Sequence, residues 1–223
     1  LKDSAKKFAL ERTPTSHFRE VRDSEIENCY NEEIWNEMVA LGWTGILIPE
    51  EYGGSNFGVA GMASILEELG KTLTPSPLFS TAVVGVSLVN HASDLVKKEI
   101  LTKVVNEGLK LSLALEETNH HNPKKISCSV EKKGEDFFIN GEKCFVLDGT
   151  FADKIIVACR SSNSESEKDG ISLLIVDANS EGLSITPTKM VDSRNAANIK
   201  FDNVKSSADN LIGEEGKLSL IHI

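Results

Sequence analysis

Few positions in this chain combine residue types able to do chemistry. His120 and His121 are adjacent in the run Leu115-Glu-Glu-Thr-Asn-His-His-Asn-Pro123, and imidazoles can hold a metal or move protons near neutral pH. Neighbouring side chains on an extended loop point apart, so the pair reads as exposed loop histidines and no metal site is expected. The carboxylate pairs Glu50-Glu51 and Glu67-Glu68 could act as acid and base, but the first lies in a bend and the second on a helix, where solvated or structural roles fit better. Gly53-Gly54 invites comparison with a phosphate cradle. It lacks the GxGxxG or GxxxxGK spacing after a strand, and a bend before a helix accounts for both glycines. Cys29, Cys128, Cys144 and Cys159 are far apart with no CxxC, and three lie in apolar strand contexts. They read as reduced thiols of a cytoplasmic protein, not as disulfides or zinc ligands.

The elements that must position these residues change character midway. Asn31 to Trp43 places Ile34, Trp35, Met38 and Leu41 on one helical stripe, with Gly42 where a C′ glycine belongs. Further helical patterns run over Leu1 to Ala9 (stopped by Pro14), Val59 to Leu69 (with Gly70 as terminator), Thr81 to Asn90, and Ser93 to Asn106 (closed by Gly108). From Leu109 the periodicity turns to alternation and short runs: 111–115, 126–130, 137–139, 144–147, 154–159, 171–176, 183–186 and 197–201. Asn140-Gly141 between two apolar runs predicts a tight β-hairpin. Spaced strands with turn residues between them suggest a barrel or sandwich, a boundary falls near 107–110, and the polar run 161–170 reads as an exposed hairpin loop.

The chain's 223 residues allow two domains. A formal charge of −10 and a pI near 5.1, with acidic residues scattered along the chain, argue against nucleic-acid or anionic-membrane surfaces, which need clustered Lys and Arg. The longest apolar stretch, Leu78 to Val89, is interrupted by Ser80, Thr81 and Ser87 and is short of the roughly 20 residues that span a bilayer. Leu218 to Ile223 reads as a non-native tail, and the chain as an internal start without a signal pattern.

Leu41 to Pro77, LGWTGILIPEEYGGSNFGVAGMASILEELGKTLTPSP, resembles the N-terminal domain of the acyl-CoA dehydrogenase family. Leu111 to Thr118, the run NGEKCFVLDGTFAD, and VDSRNAANIKFDNVKSSADNLIGEEG are similar, in order and spacing, to landmarks of that family's middle β-domain. The resemblance covers nearly the whole chain before the tail. It implies an α+β multidomain architecture: an all-α helical domain over 1–108, a β-barrel-like middle domain over 109–217, and truncation before a C-terminal four-helix bundle.

The activity implied is oxidation of an acyl-CoA thioester in fatty-acid or related acyl catabolism. A carboxylate base removes the α proton while the β hydrogen leaves as hydride to FAD. An electron-transfer flavoprotein or similar acceptor, and homo- or hetero-oligomers, are the implied partners. The family's base lies in the bundle, so no residue here is assigned as catalytic and the 223 residues alone are expected to be inactive.

The resemblance also assigns flavin-facing positions. On the loop after the first strand these are Leu115, Glu116 where relatives have a threonine, and Asn122 where they have a serine. Asn119 and His121 replace small glycines, and Pro123 replaces an acidic residue. On the strand after "nGeK" they are Phe145, Val146 and Leu147, with the aromatic platform kept and the hydroxyl lost at Leu147. FAD binding that is weak or shared is therefore expected. Two readings stay open: an FAD-dependent dehydrogenase, or a non-catalytic partner subunit with a degenerate FAD site.

Overall fold

The computed structural model describes residues 1–24, 29–122, 125–161, 170–190 and 194–217. Helices come first: α1 (Lys2–Glu11), α2 (Thr15–Asp23), α3 (Glu32–Ala40), α4 (Val59–Lys71), a π-helical turn (Phe79–Gly85) running into α5 (Val86–Val89), and α6 (Asp94–Glu107). Eight strands follow: β1 (Leu111–Ala114), β2 (Ser129–Lys133), β3 (Asp136–Leu147), β4 (Lys154–Ser161), β5 (Ile171–Asp177), β6 (Leu183–Lys189), β7 (Asn195–Ser207) and β8 (Leu211–Ile212). The switch from period 3.6 to period 2 thus falls where the sequence places it.

Helix ends obey local chemistry. Asn31 caps α3 by accepting the Glu33 and Ile34 amides at 2.8 and 3.2 Å, and Ser93 caps α6 through the Val96 amide. Gly42 and Gly108 take positive φ at the C-terminal ends. Gly70, expected to end α4, lies inside it. Leu73 takes the left-handed position instead, at φ +57°, and the Thr74 and Leu73 amides return to the Leu69 and Gly70 carbonyls, which closes a Schellman motif without glycine. A second correction is α2, where Pro14 starts a helix that the sequence pattern did not announce.

The Asn140-Gly141 hairpin is also corrected. β3 runs unbroken through both residues and pairs antiparallel with β7, and the turn that joins β2 to β3 is at Gly134-Glu135, between paired Lys133 and Asp136. The sheet uses Asn140 at a bulge, where its side-chain oxygen accepts the amide of Asn203, itself at φ +54°. Asn-Gly serves either purpose, because hairpin turns and bulges both recruit backbone that tolerates positive φ.

The strands form one eight-stranded sheet ordered β6-β7-β3-β2-β4-β5-β8, with β1 joined to β4. β1 and β2 are both parallel to β4, at Lys154–Val157 and at Arg160–Ser161. Residues 115–128 therefore leave one edge of β4 and return to that same edge. Ser206 Oγ donates to the Ile175 carbonyl at 2.9 Å, tying β7 to β5. One core fills the sheet and takes in Val86, Val89, Ile100, Leu101 and Val104 from α5 and α6. A second core, around Trp35, Met38, Trp43, Met62 and Ile65, belongs to the other helices. The sheet's core thus extends across residue 108 into the helical half. The expected loop over 161–170 lies mostly outside the described residues, as do Pro123 and the six-residue tail. Among the described residues, no helix is long and apolar enough to cross a membrane.

Candidate functional site

The loop after β1 is fixed by an ion pair that the sequence reading passed over. Lys143 Nζ, fully buried, lies 2.8 Å from Glu117 Oε1 and donates to the Leu115 carbonyl at 3.0 Å. The Glu117 carboxylate also accepts the Ser127 and Cys128 amides at 2.6 and 2.9 Å. Burial by itself raises the Glu117 pKa, but the Lys143 bond, the two amides and the ammonium charge outweigh it and hold the carboxyl below its usual range. The pair pins both ends of residues 115–128 onto β3. Its signal was present: a lysine in the middle of an otherwise alternating strand, opposite a tandem glutamate.

Of the five candidate cofactor positions Leu115, Glu116, Asn122, Phe145 and Leu147, the structure ties Leu115 and Glu116 to β3, since the Cys144 amide donates to the Glu116 carbonyl at 2.8 Å. The Glu116 carboxylate turns to His121, with Oε1 2.5 Å from Nδ1, so His121 is paired rather than idle. Asn122 is exposed, and none of the hydrogen bonds among the described residues joins it to the other four. Phe145 sits on a bulge of β3 at φ +53°, with its amide bonded to Asn198 Oδ1 at 3.3 Å. The bulge turns its ring outward, 56% exposed, so Phe145 is no core residue. Leu147 is half-buried and its carbonyl accepts Ser112 Oγ at 2.6 Å.

These residues fit FAD only in part. An exposed aromatic on a pinned strand can stack a planar ring. The donor set is wrong, because Glu116 is an acceptor committed to His121 and Leu147 has nothing to donate. Thr118, the nearest hydroxyl on the loop, is spent on the His120 backbone. An exposed aromatic at Phe145 is present, and hydroxyl donors at positions 116 and 147 are not.

A cavity of about 290 Å³ opens beside Asp148, one residue beyond Leu147, between the helical half and the sheet. Asp148 is 4% exposed, and its Oδ2 accepts Ser80 Oγ at 2.7 Å and lies 3.9 Å from the Arg194 guanidinium. Burial pushes its carboxyl up to about 6, against the pull of Ser80 and Arg194.

The other candidate features resolve simply. A Cβ on Gly54 would sit 2.0 Å from the Ile48 carbonyl oxygen, so close backbone approach requires that glycine and no phosphate is needed to explain it. Among the described residues no cysteine forms a disulfide; Cys128 and Cys159 are buried and Cys29 and Cys144 half-buried. Among the described residues, no group of three or more His, Cys, Asp or Glu could hold a metal.

A helical half feeding a twisted sheet, with a pinned loop and an aromatic bulge at one end, agrees with the family comparisons. The acyl-CoA dehydrogenase N-terminal domain profile matches residues 1–108 and the middle domain profile residues 114–204. The chain belongs to the acyl-CoA dehydrogenase family. It is 29% identical over 191 residues to acyl-CoA dehydrogenase FadE12 of Mycobacterium tuberculosis, covering 83% of this chain and 49% of that protein. It is 31% identical over 192 residues to the probable acyl-CoA dehydrogenase YngJ of Bacillus subtilis, covering 83% and 50%. The crystal structure of acyl-CoA dehydrogenase from Geobacillus kaustophilus superposes with a TM-score of 0.86 at 27% identity, over 99% of this chain and 59% of that one. The chain spans about half the length of the curated relatives it matches.

Proposed function

We propose that this chain supplies the N-terminal (1–108) and middle (109–217) domains of an acyl-CoA dehydrogenase that oxidises the Cα–Cβ bond of an acyl-CoA thioester, with FAD held weakly or shared. The carrying observation is the Lys143–Glu117 pair, which fixes the loop after β1 against the strand that turns Phe145 outward. A loop pinned beside an outward-turned aromatic supports the reading of a seat for a planar ring. The catalytic base belongs to the part of the relatives' length that these residues do not span. Passage of electrons to an electron-transfer flavoprotein or similar acceptor, a cytoplasmic location suited to four cysteines outside any disulfide, and a homo- or hetero-oligomeric full-length protein complete this reading.

The test is reduction of an acceptor dye by the full-length protein with a panel of acyl-CoAs, both alone and with added FAD. Turnover that rises with added FAD is expected; no turnover under any condition would overturn it. The 223 residues alone should show none.

A second reading is favoured by one observation: Glu116 is bonded to His121 and Leu147 offers no hydroxyl. In this reading the chain is a non-catalytic partner subunit, and another chain carries FAD and base. Co-expression with a candidate partner would then restore turnover in which only the partner's carboxylate is needed.

A further inference from the structure

The cavity beside Asp148 has a polar corner whose hydrogen-bonding capacity is not fully used among the described residues. Its walls are mostly apolar, with Phe18, Leu66, Leu69, Leu73, Phe79 and Phe151 around it, and Thr74, Ser76 and Arg194 also line it. Two side chains in the corner are almost wholly buried: Asp148 at 4% exposed and Asn195 at 3%. They are held side by side, because the Asp148 amide donates to the Asn195 carbonyl at 2.9 Å. Asp148 is also fixed at φ +57°, a conformation that aspartate is among the few side chains to tolerate.

Asp148 spends Oδ2 on Ser80 and on the charge of Arg194. Its other oxygen has no hydrogen-bond partner among the described residues. Asn195 spends its side-chain oxygen on the Thr150 amide at 3.2 Å, which fixes the carboxamide orientation. Its NH₂ group then has no hydrogen-bond partner among the described residues. A structural tie between helices and sheet explains the Ser80 bond. It does not account for an acceptor and a donor left open toward the cavity by two side chains that are otherwise almost wholly buried.

An acceptor and a donor side by side complement a group that donates and accepts at one atom, which is a hydroxyl. We propose that this cavity binds an apolar group bearing one hydroxyl, whose O–H donates to Asp148 and whose oxygen accepts from the Asn195 carboxamide. The volume of about 290 Å³ is near the lower bound of small-molecule sites, so the group is compact. Its place one residue beyond Leu147 makes the acyl part of a thioester one source, an assignment that rests on the proposed function. A free alcohol is the other source.

Two experiments on the full-length protein test this and tell the sources apart. In the first, leucine methyl groups are labelled and the protein is titrated with cyclohexanol and with methoxycyclohexane, which keeps the oxygen but cannot donate. Cyclohexanol is expected to shift the Leu66, Leu69 and Leu73 methyl signals and to bind about tenfold tighter than the ether, as a hydrogen bond to a charged acceptor implies. Asp148→Asn should abolish the preference, because Ser80 keeps the carboxamide oxygen and an NH₂ then faces the hydroxyl. Should that variant fold poorly, Asn195→Ala must weaken both probes by a similar factor, because alcohol and ether oxygens alike accept from its carboxamide; unchanged binding of both overturns the proposal.

In the second, kcat/KM is compared for hexanoyl-CoA and 6-hydroxyhexanoyl-CoA. A preference of about tenfold for the hydroxylated thioester assigns the cavity to the acyl group, whereas a preference seen only with the free probes assigns it to a separate alcohol. Equal binding of alcohol and ether together with equal kcat/KM overturns the proposal, and oxidation of plain hexanoyl-CoA would still leave the dehydrogenase reading standing. Hydroxyl preference in the first experiment with no thioester oxidised in the second keeps the cavity assignment and removes that reading.

Discussion

Glu117 and Asp148 are both carboxylates taken out of water beside one sheet, and the structure treats them in opposite ways. Glu117 receives an ammonium and two amides and is held below its usual range, while Asp148 receives one hydroxyl and a more distant guanidinium and is pushed up to about 6. Burial raises both, so the difference lies in the partners. A fully compensated carboxylate acts as scaffold, here fixing the loop after β1. An under-compensated one keeps binding capacity at a cost in stability.

The comparison breaks most visibly at Lys143. Lys143→Met leaves Glu117 facing a buried site without its cation, which should cost about 3 kcal/mol or more, read as a lower urea midpoint. The double variant Lys143→Met/Glu117→Gln should recover part of that loss. If the single variant were as stable as the parent, Glu117 would be no anchor.

At Asp148 the expected sign is reversed. An unfolded aspartate titrates near about 3.9, and its folded value of about 6 means that the native state prefers the proton. The stabilising contribution is therefore complete below about pH 4 and is lost as pH rises through about 6, by about 3 kcal/mol at pH 7. Asp148→Asn should flatten this part of the profile, so that the stability of the parent relative to the variant falls between pH 4 and 7 in thermal melts. A parent that gains stability relative to the variant over that window would contradict the assignment.

The smallest effect belongs to Phe145, two residues from Lys143 on β3 yet exposed on its bulge. Phe145→Ala should change global stability by no more than about 0.5 kcal/mol. A loss several times larger would return the ring to the core and remove the platform.

Much of the scaffold is legible in the sequence because its signals are local. The caps at Asn31, Ser93, Gly42 and Gly108 depend on neighbours a few residues away, and the period switch near 108 needs only a short window. What escaped depends on distant partners. Whether Asn140-Gly141 turns the chain or bulges it is decided by β7, some sixty residues on, which offers Asn203 to the Asn140 side chain. Lys143 looks like a surface lysine until Glu117 is folded against it, and Asp148 and Asn195 become neighbours only through the β3–β7 ladder. Glu116 and Leu147 could be set against the family motif from sequence alone, whereas the turn of Glu116 toward His121 could not be read there.

The central claim is that this family member keeps the flavin platform but has given up two side-chain donors, and flavin retention tests it most directly. The full-length parent and the Glu116→Thr/Leu147→Thr variant should be purified side by side, comparing flavin absorbance per protein and midpoint potential. Each neutral bond restored is worth roughly 0.5 to 1.5 kcal/mol, so the pair should tighten FAD about tenfold to a hundredfold. The account predicts a parent that retains less flavin, with a lower potential where the Glu116 charge opposes reduction. A parent that purifies fully yellow, with a potential no lower than that of the variant, would contradict it.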